Sequence, residues 1–140
     1  MSDSNIDPTK KQFAEFKALQ RSGPIHMLNL VRLRDRARYE DGREATGAEA
    51  YRAYSRESGE VFARVGGRIH YTAGFELTVI GPEAERWDHV FIAEYPSADA
   101  FVAMLADPVY REAVKHRQAA VEDSRLIRLK PRTSGARFAD

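Results

Sequence analysis

Ile25-His26-Met27-Leu28-Asn29-Leu30-Val31-Arg32-Leu33 is a nearly continuous apolar run, too short to cross a membrane and too uniform for a surface helix. Split by parity, Ile25, Met27, Asn29, Val31 and Leu33 point one way, and His26, Leu28, Leu30 and Arg32 the other. Both faces are mainly apolar, the pattern of a central strand covered on both sides. The chain's own helices can cover one face; the other then calls for a partner surface. On the first face Asn29 alone breaks the apolar pattern.

The strand sits in a chain of 140 residues, the size of one domain. Such a chain buries roughly two thirds of the surface its unfolded form exposes. Its 22 basic residues nearly balance its 21 acidic ones, leaving a net charge of +1. That balance argues against a general nucleic-acid binder. The absence of cysteine excludes disulfides, thiolate catalysis and cysteine-based metal frameworks. The polar N-terminus lacks the regions of a signal peptide, and no apolar run approaches the roughly 20 residues of a membrane span. A cytoplasmic protein with neither nucleic-acid nor membrane partner is the expectation.

Upstream of the strand, Asp7 and Pro8 open a first helix as cap and first helical residue. Phe13, Phe16 and Leu19 give it an apolar stripe, and Ser22-Gly23-Pro24 stops it. Downstream, Arg32, Arg34, Arg36 and Arg38 alternate. They read either as an anion clamp or as a solvated loop balanced by Asp35, Glu40 and Asp41. Without a glycine-rich phosphate cradle the solvated loop is preferred.

Thr46 caps a second helix running to about Val65 and ended by Gly66-Gly67. Its stripe is Tyr51, Tyr54, Ser58, Val61, Phe62 and Val65. Arg68 to Ile80 reads as extended, with Ile69, Tyr71, Ala73, Phe75, Leu77 and Val79 on one face and Gly74 marking a bulge or close approach. His89 to Tyr95 returns antiparallel to it, and Trp87 closes the intervening loop as a cap on the hairpin end, a lid over a pocket being the other reading.

Ser97 caps a third helical region with Phe101, Met104 and Leu105 on its apolar face. Asp107-Pro108 restarts it as a segment carrying Tyr110, Val114, Arg117 and Val121 on one face, with His116 beside them. Ser124 to Leu129 is a last strand.

This order predicts an α+β, ferredoxin-like βαββαβ fold: a four-stranded antiparallel sheet with both helices on one face and an extra N-terminal helix. Residues 1–23 form the helical extension, 24–130 the domain and 131–140 a flexible tail. The bare sheet face is apolar, so the expected partner is a second copy docked sheet to sheet.

The chain resembles the family of domain of unknown function 1330, whose members look like dimeric α+β barrels. The resemblance runs from about Pro24 to Leu129. It is carried by Met27-Leu28-Asn29-Leu30-Val31-Arg32, by Tyr39 with Asp41-Gly42-Arg43, and by Thr46-Gly47 with Ala50-Tyr51. Gly66-Gly67-Arg68, Val79-Ile80-Gly81-Pro82 and Trp87-Asp88 follow, then Tyr95-Pro96-Ser97, Asp107-Pro108-Val109-Tyr110, His116-Arg117 and Asp123-Ser124-Arg125-Leu126. The resemblance implies the fold and the dimer but supplies no reaction, so no catalytic residue is carried over. The early helix departs from the shortest family pattern.

Such barrels serve cofactor-free monooxygenases, lactone isomerases, haem-degrading enzymes and ligand sensors, and fold alone decides little among them. A ligand pocket between helices and sheet would draw on Asn29, whose amide is either bonded internally or held for a ligand. Tyr54 can donate its hydroxyl from the rim. His116 is either an acid–base group or a packing residue. His70 and Glu94 interrupt strand patterns and can converge with Asn29. No metal is expected, because His26, His70, His89 and His116 are scattered along the chain. No cofactor is expected either, haem on a single histidine being the remote option. Three readings remain: a small-molecule enzyme working by proton transfer or oxygen chemistry, a ligand-sensing dimer, and a structural dimerisation module.

Overall fold

The computed structural model describes residues 4–139. The elements are α1 (Lys10–Ala18), β1 (Ile25–Leu33), α2 (Gly47–Arg64), β2 (Arg68–Ala73), β3 (His89–Tyr95), α3 (Ala98–Ala106), α4 (Pro108–Ala120) and β4 (Val121–Leu129). The strands form one antiparallel sheet in the order β2-β3-β1-β4, with the run Ile25–Leu33 central as expected. This is the ferredoxin-like α+β fold. Among the described residues no helix is long and apolar enough to cross a membrane.

Local chemistry explains the boundaries. Thr46 caps α2 through a capping box, its hydroxyl accepting from Glu49 N–H while the Glu49 carboxylate accepts from Thr46 N–H. Past the helix, Gly66 takes φ +89°, a left-handed conformation that glycine adopts without steric cost. Ser97 caps α3 and Asp107 caps α4, with Pro108 in the first turn.

Four expectations need correction. The first helix is capped by Thr9, not Asp7: Thr9 and Gln12 satisfy each other's backbone donors, which the Asp7-Pro8 placement does not offer. The strand expected to reach Ile80 ends at Ala73, and Leu77, Val79 and Ile80 beyond it are exposed in a loop, so their alternation has no sheet to serve. The bulge lies between Ile69 and Tyr71 rather than at Gly74. It turns Tyr71 onto the same face as His70, against simple parity. Finally, β4 begins at Val121, which is fully buried and follows α4 directly, so Val121 belongs to the strand and not to the helical face.

The core lies between the sheet and α2, α3 and α4. Ile25, Met27, Val61, Ala93, Tyr95, Phe101, Met104 and Tyr110 make one cluster, and Val31, Ala50, Tyr51, Ala120 and Val121 another. Register then assigns the sheet's two faces. Ile25, Met27, Asn29 and Val31 share the inner face with their partners His89, Phe91, Ala93 and Tyr95. Leu28, Leu30, Val90, Ile92, Ile127 and Leu129 share the outer face, where no helix covers them.

The N-terminal segment is fastened to β4. Asn5 donates its backbone and side-chain N–H groups to Asp123 Oδ1 at 3.0 and 3.2 Å, and Ser124 Oγ donates to Asn5 O at 2.6 Å. Arg128 donates to Phe16 O and Leu19 O, and its guanidinium stands 4.8 Å over the Phe16 ring. Phe16 packs 5.1 Å from Phe101. The extra helix therefore lies along the open side of the helix layer. Beyond Leu129 the described chain forms neither helix nor strand.

Candidate functional site

Between the inner sheet face and the helices lies a cleft of about 1450 Å³. Met27, Asn29, Phe91 and Ala93 make its floor; Tyr51, Tyr54 and Ser58 from α2 and Tyr110 and Arg117 from α4 line its helical wall; and Phe13 and Phe16 of α1 border it. An apolar space with a few placed polar groups is the usual make-up of a small-molecule site.

Asn29 sits on that floor because its parity matches Met27 and Val31. Its Nδ2 donates to Met27 O at 3.0 Å, and among the described residues no donor reaches its Oδ1. The backbone bond fixes the amide and leaves the acceptor for whatever occupies the cleft. Tyr54 stands opposite, with its hydroxyl 2.9 Å from Tyr110 Oη. Burial raises the pKa of Tyr51, Tyr54 and Tyr110 above the ordinary tyrosine range, so all three remain phenols at neutral pH. They offer hydrogen bonds, not negative charge.

His89 also lines the cleft, although its sequence pattern marks it only as the start of a strand. It is the first residue of β3, pairs with Val31 and stacks on Tyr51 at 5.0 Å. The signal was present: His89 alternates with Phe91, Ala93 and Tyr95. Arg117 supplies a cation at the cleft wall, positioned by its bonds to Ile6 O and Ser124 Oγ.

The other candidates lie elsewhere. His116 Nδ1 is 2.6 Å from the Tyr39 hydroxyl and its Nε2 is 2.9 Å from Glu57 Oε2. Both ring nitrogens are engaged outside the cleft, joining α4 to α2 and to the loop after β1. His70 and Glu94 do not converge with Asn29. They lie on the outer face, where Glu94 bonds His26 and Arg68. The histidines are not all scattered either, since the His26 and His70 rings are 4.5 Å apart. Trp87 is buried beneath Arg125, 5.3 Å from the guanidinium, and does not border the cleft. The arginine series forms no clamp: Arg32 faces Glu122 and Arg34 donates to Gln118 O and Ala119 O.

Comparison with known proteins agrees with this architecture. The chain is 70% identical to the methylated RPA0582 protein, with 94% of this chain and 98% of that one covered and a TM-score of 0.93. A second structure, the RPA0582 protein of unknown function from Rhodopseudomonas palustris, is 68% identical over 94% and 100% of the two chains, with a TM-score of 0.91. SnoaB, a cofactor-independent oxygenase from Streptomyces nogalater, shares the fold at 19% identity, over 83% of this chain and 100% of that one, with a TM-score of 0.51. No curated protein matches the chain. Residues 42–128 match the family model for domain of unknown function DUF1330, a narrower span than the Pro24–Leu129 expected because the central strand precedes it. The chain belongs to the DUF1330 family.

Proposed function

We propose that this protein binds a small organic molecule in the cleft beside Asn29 and carries out proton-transfer chemistry on it. The observation that carries this reading is the Asn29 amide, fixed through Nδ2 and presenting an unpartnered Oδ1 to a large, mainly apolar space. The acceptor is open to the cleft, and a bound ligand's donor hydrogen-bonded to it would contribute about 0.5–1.5 kcal/mol. Tyr54 and Tyr110 would hold the ligand's polar group, and Arg117 would favour an anionic one. His89 is the group suited to take up and return a proton. SnoaB, with the same fold, is a cofactor-independent oxygenase, and such chemistry is an alternative reaction class for this cleft.

A second reading, a ligand sensor without turnover, is favoured by the phenols: three neutral hydrogen-bonding groups recognise a molecule without reacting with it. In either case the working unit is a homodimer through the outer sheet face, whose Tyr71, Ile127 and Leu129 are exposed on a single chain.

The experiment is a thermal-shift screen of purified protein against small aromatic and carboxylate metabolites, free flavin and haem, followed by turnover assays on each hit with wild type and His89→Ala. Consumption of a hit that is lost in the variant supports the enzyme. Binding without consumption supports the sensor. A flat screen contradicts both.

A further inference from the structure

The outer face of the sheet carries a second constellation, independent of the cleft. His26 and Glu94 are cross-strand partners on β1 and β3, and His26 Nε2 lies 2.8 Å from Glu94 Oε1. The bulge after Ile69 brings His70 beside them, with its ring 4.5 Å from that of His26. One nitrogen from each imidazole and one Glu94 oxygen all lie within 4.8 Å of one another.

These are the donors of a divalent transition-metal site. Two imidazoles and a carboxylate suit zinc and its neighbours. Around a tetrahedral ion with bonds of about 2.0–2.2 Å, ligand atoms stand roughly 3.4 Å apart, so the cluster would tighten at its widest pair and the 2.8 Å contact between His26 and Glu94 would open slightly. Arg68 holds Glu94 Oε2 at 2.8 Å from the other side, in the manner of an outer partner that orients a ligating carboxylate. Its Nη2 also reaches Oε1, at 3.2 Å, and would have to yield that oxygen to the ion. His26 and Glu94 are largely shielded, with side chains 15% and 24% exposed, which lowers the competition from water. His70 is exposed and completes the set from the edge strand.

We propose that His26, His70 and Glu94 bind one divalent transition-metal ion of the zinc class on the outer sheet face. Three protein ligands leave a fourth position open for water or for a second copy docked on that face. Without the ion the same residues make an ordinary ion-pair network.

The test uses the full chain without an affinity tag, stripped with chelator and titrated calorimetrically with Zn²⁺. Visible absorption after Co²⁺ loading reports the geometry. One Zn²⁺ per chain is expected, together with a tetrahedral Co²⁺ spectrum. His70→Ala and Glu94→Gln should each weaken Zn²⁺ binding at least about tenfold while circular dichroism is unchanged. His70 is exposed, so that variant tests the site without threatening the core. Absence of Zn²⁺ uptake by the wild type, or wild-type affinity in both variants, would overturn the proposal.

Discussion

The Tyr54 hydroxyl stands 2.9 Å from that of Tyr110, joining α2 to α4 at the wall of the cleft. Only one of the two can donate to the other, so the pair keeps a proton for a third group. Tyr54→Phe is expected to destabilise the protein by about 1 kcal/mol, measured by urea unfolding. The same change should weaken binding of a cleft ligand about 2- to 12-fold, read by calorimetry.

Asn29→Leu separates folding from recognition. It removes the bond to Met27 O and the free acceptor while roughly keeping volume. The fold and dimer should persist by circular dichroism and sedimentation, while ligand-dependent stabilisation drops by at least about 1 kcal/mol.

On the outer face, Ile92 pairs with Leu28, and Ile127 pairs with Leu28 from the other side. Ile92→Lys places a charge in the middle of the sheet face that the homodimer would bury. Sedimentation should show dimer for wild type and folded monomer for the variant. A monomeric wild type would refute the sheet-to-sheet assembly.

The tether of the N-terminal segment should be acid-sensitive. Burial pushes the Asp123 carboxyl up, but the Asn5 backbone and side-chain donors and then Arg125 outweigh it, and the pKa is lowered overall. A depressed carboxyl contributes its stability above the ordinary aspartate value of about 3.9, and that stability is lost as pH falls through the depressed value. Hydrogen-exchange protection in residues 4–18, relative to the intrinsic rate, should therefore fall below about pH 3.9 before that of the sheet does. Asp123→Asn should loosen the same segment at neutral pH.

Much of the fold was legible because periodicity is a local property. The run Ile25–Leu33 announced a central strand, and the capping residues Thr46, Ser97 and Asp107 marked helix starts that the structure keeps. Asn29 and Tyr54 border the cleft for the same local reason: Asn29 breaks an apolar strand face and Tyr54 carries a hydroxyl on the inward stripe of α2. What failed depends on registry between strands. The bulge at His70 reverses the parity of Tyr71, and only the pairing of β2 with β3 reveals it. His70 and Glu94, expected to converge with Asn29, stand instead beside His26 on the outer face, because their face depends on that same pairing. His116 stays open between an acid–base and a packing role in the sequence because Tyr39 and Glu57, its two partners, are distant in the chain. Leu77, Val79 and Ile80 carry the alternation of a strand with no strand beside them.

A ligand site at Asn29 is tested by the thermal stability of wild type, Asn29→Leu and Tyr54→Phe across the same metabolite library. A true cleft ligand stabilises wild type by about 2.7 kcal/mol at a hundredfold excess over its Kd. At least one such compound is expected, with the gain reduced in both variants. A flat response in wild type, or equal stabilisation of all three proteins, would contradict a site at Asn29.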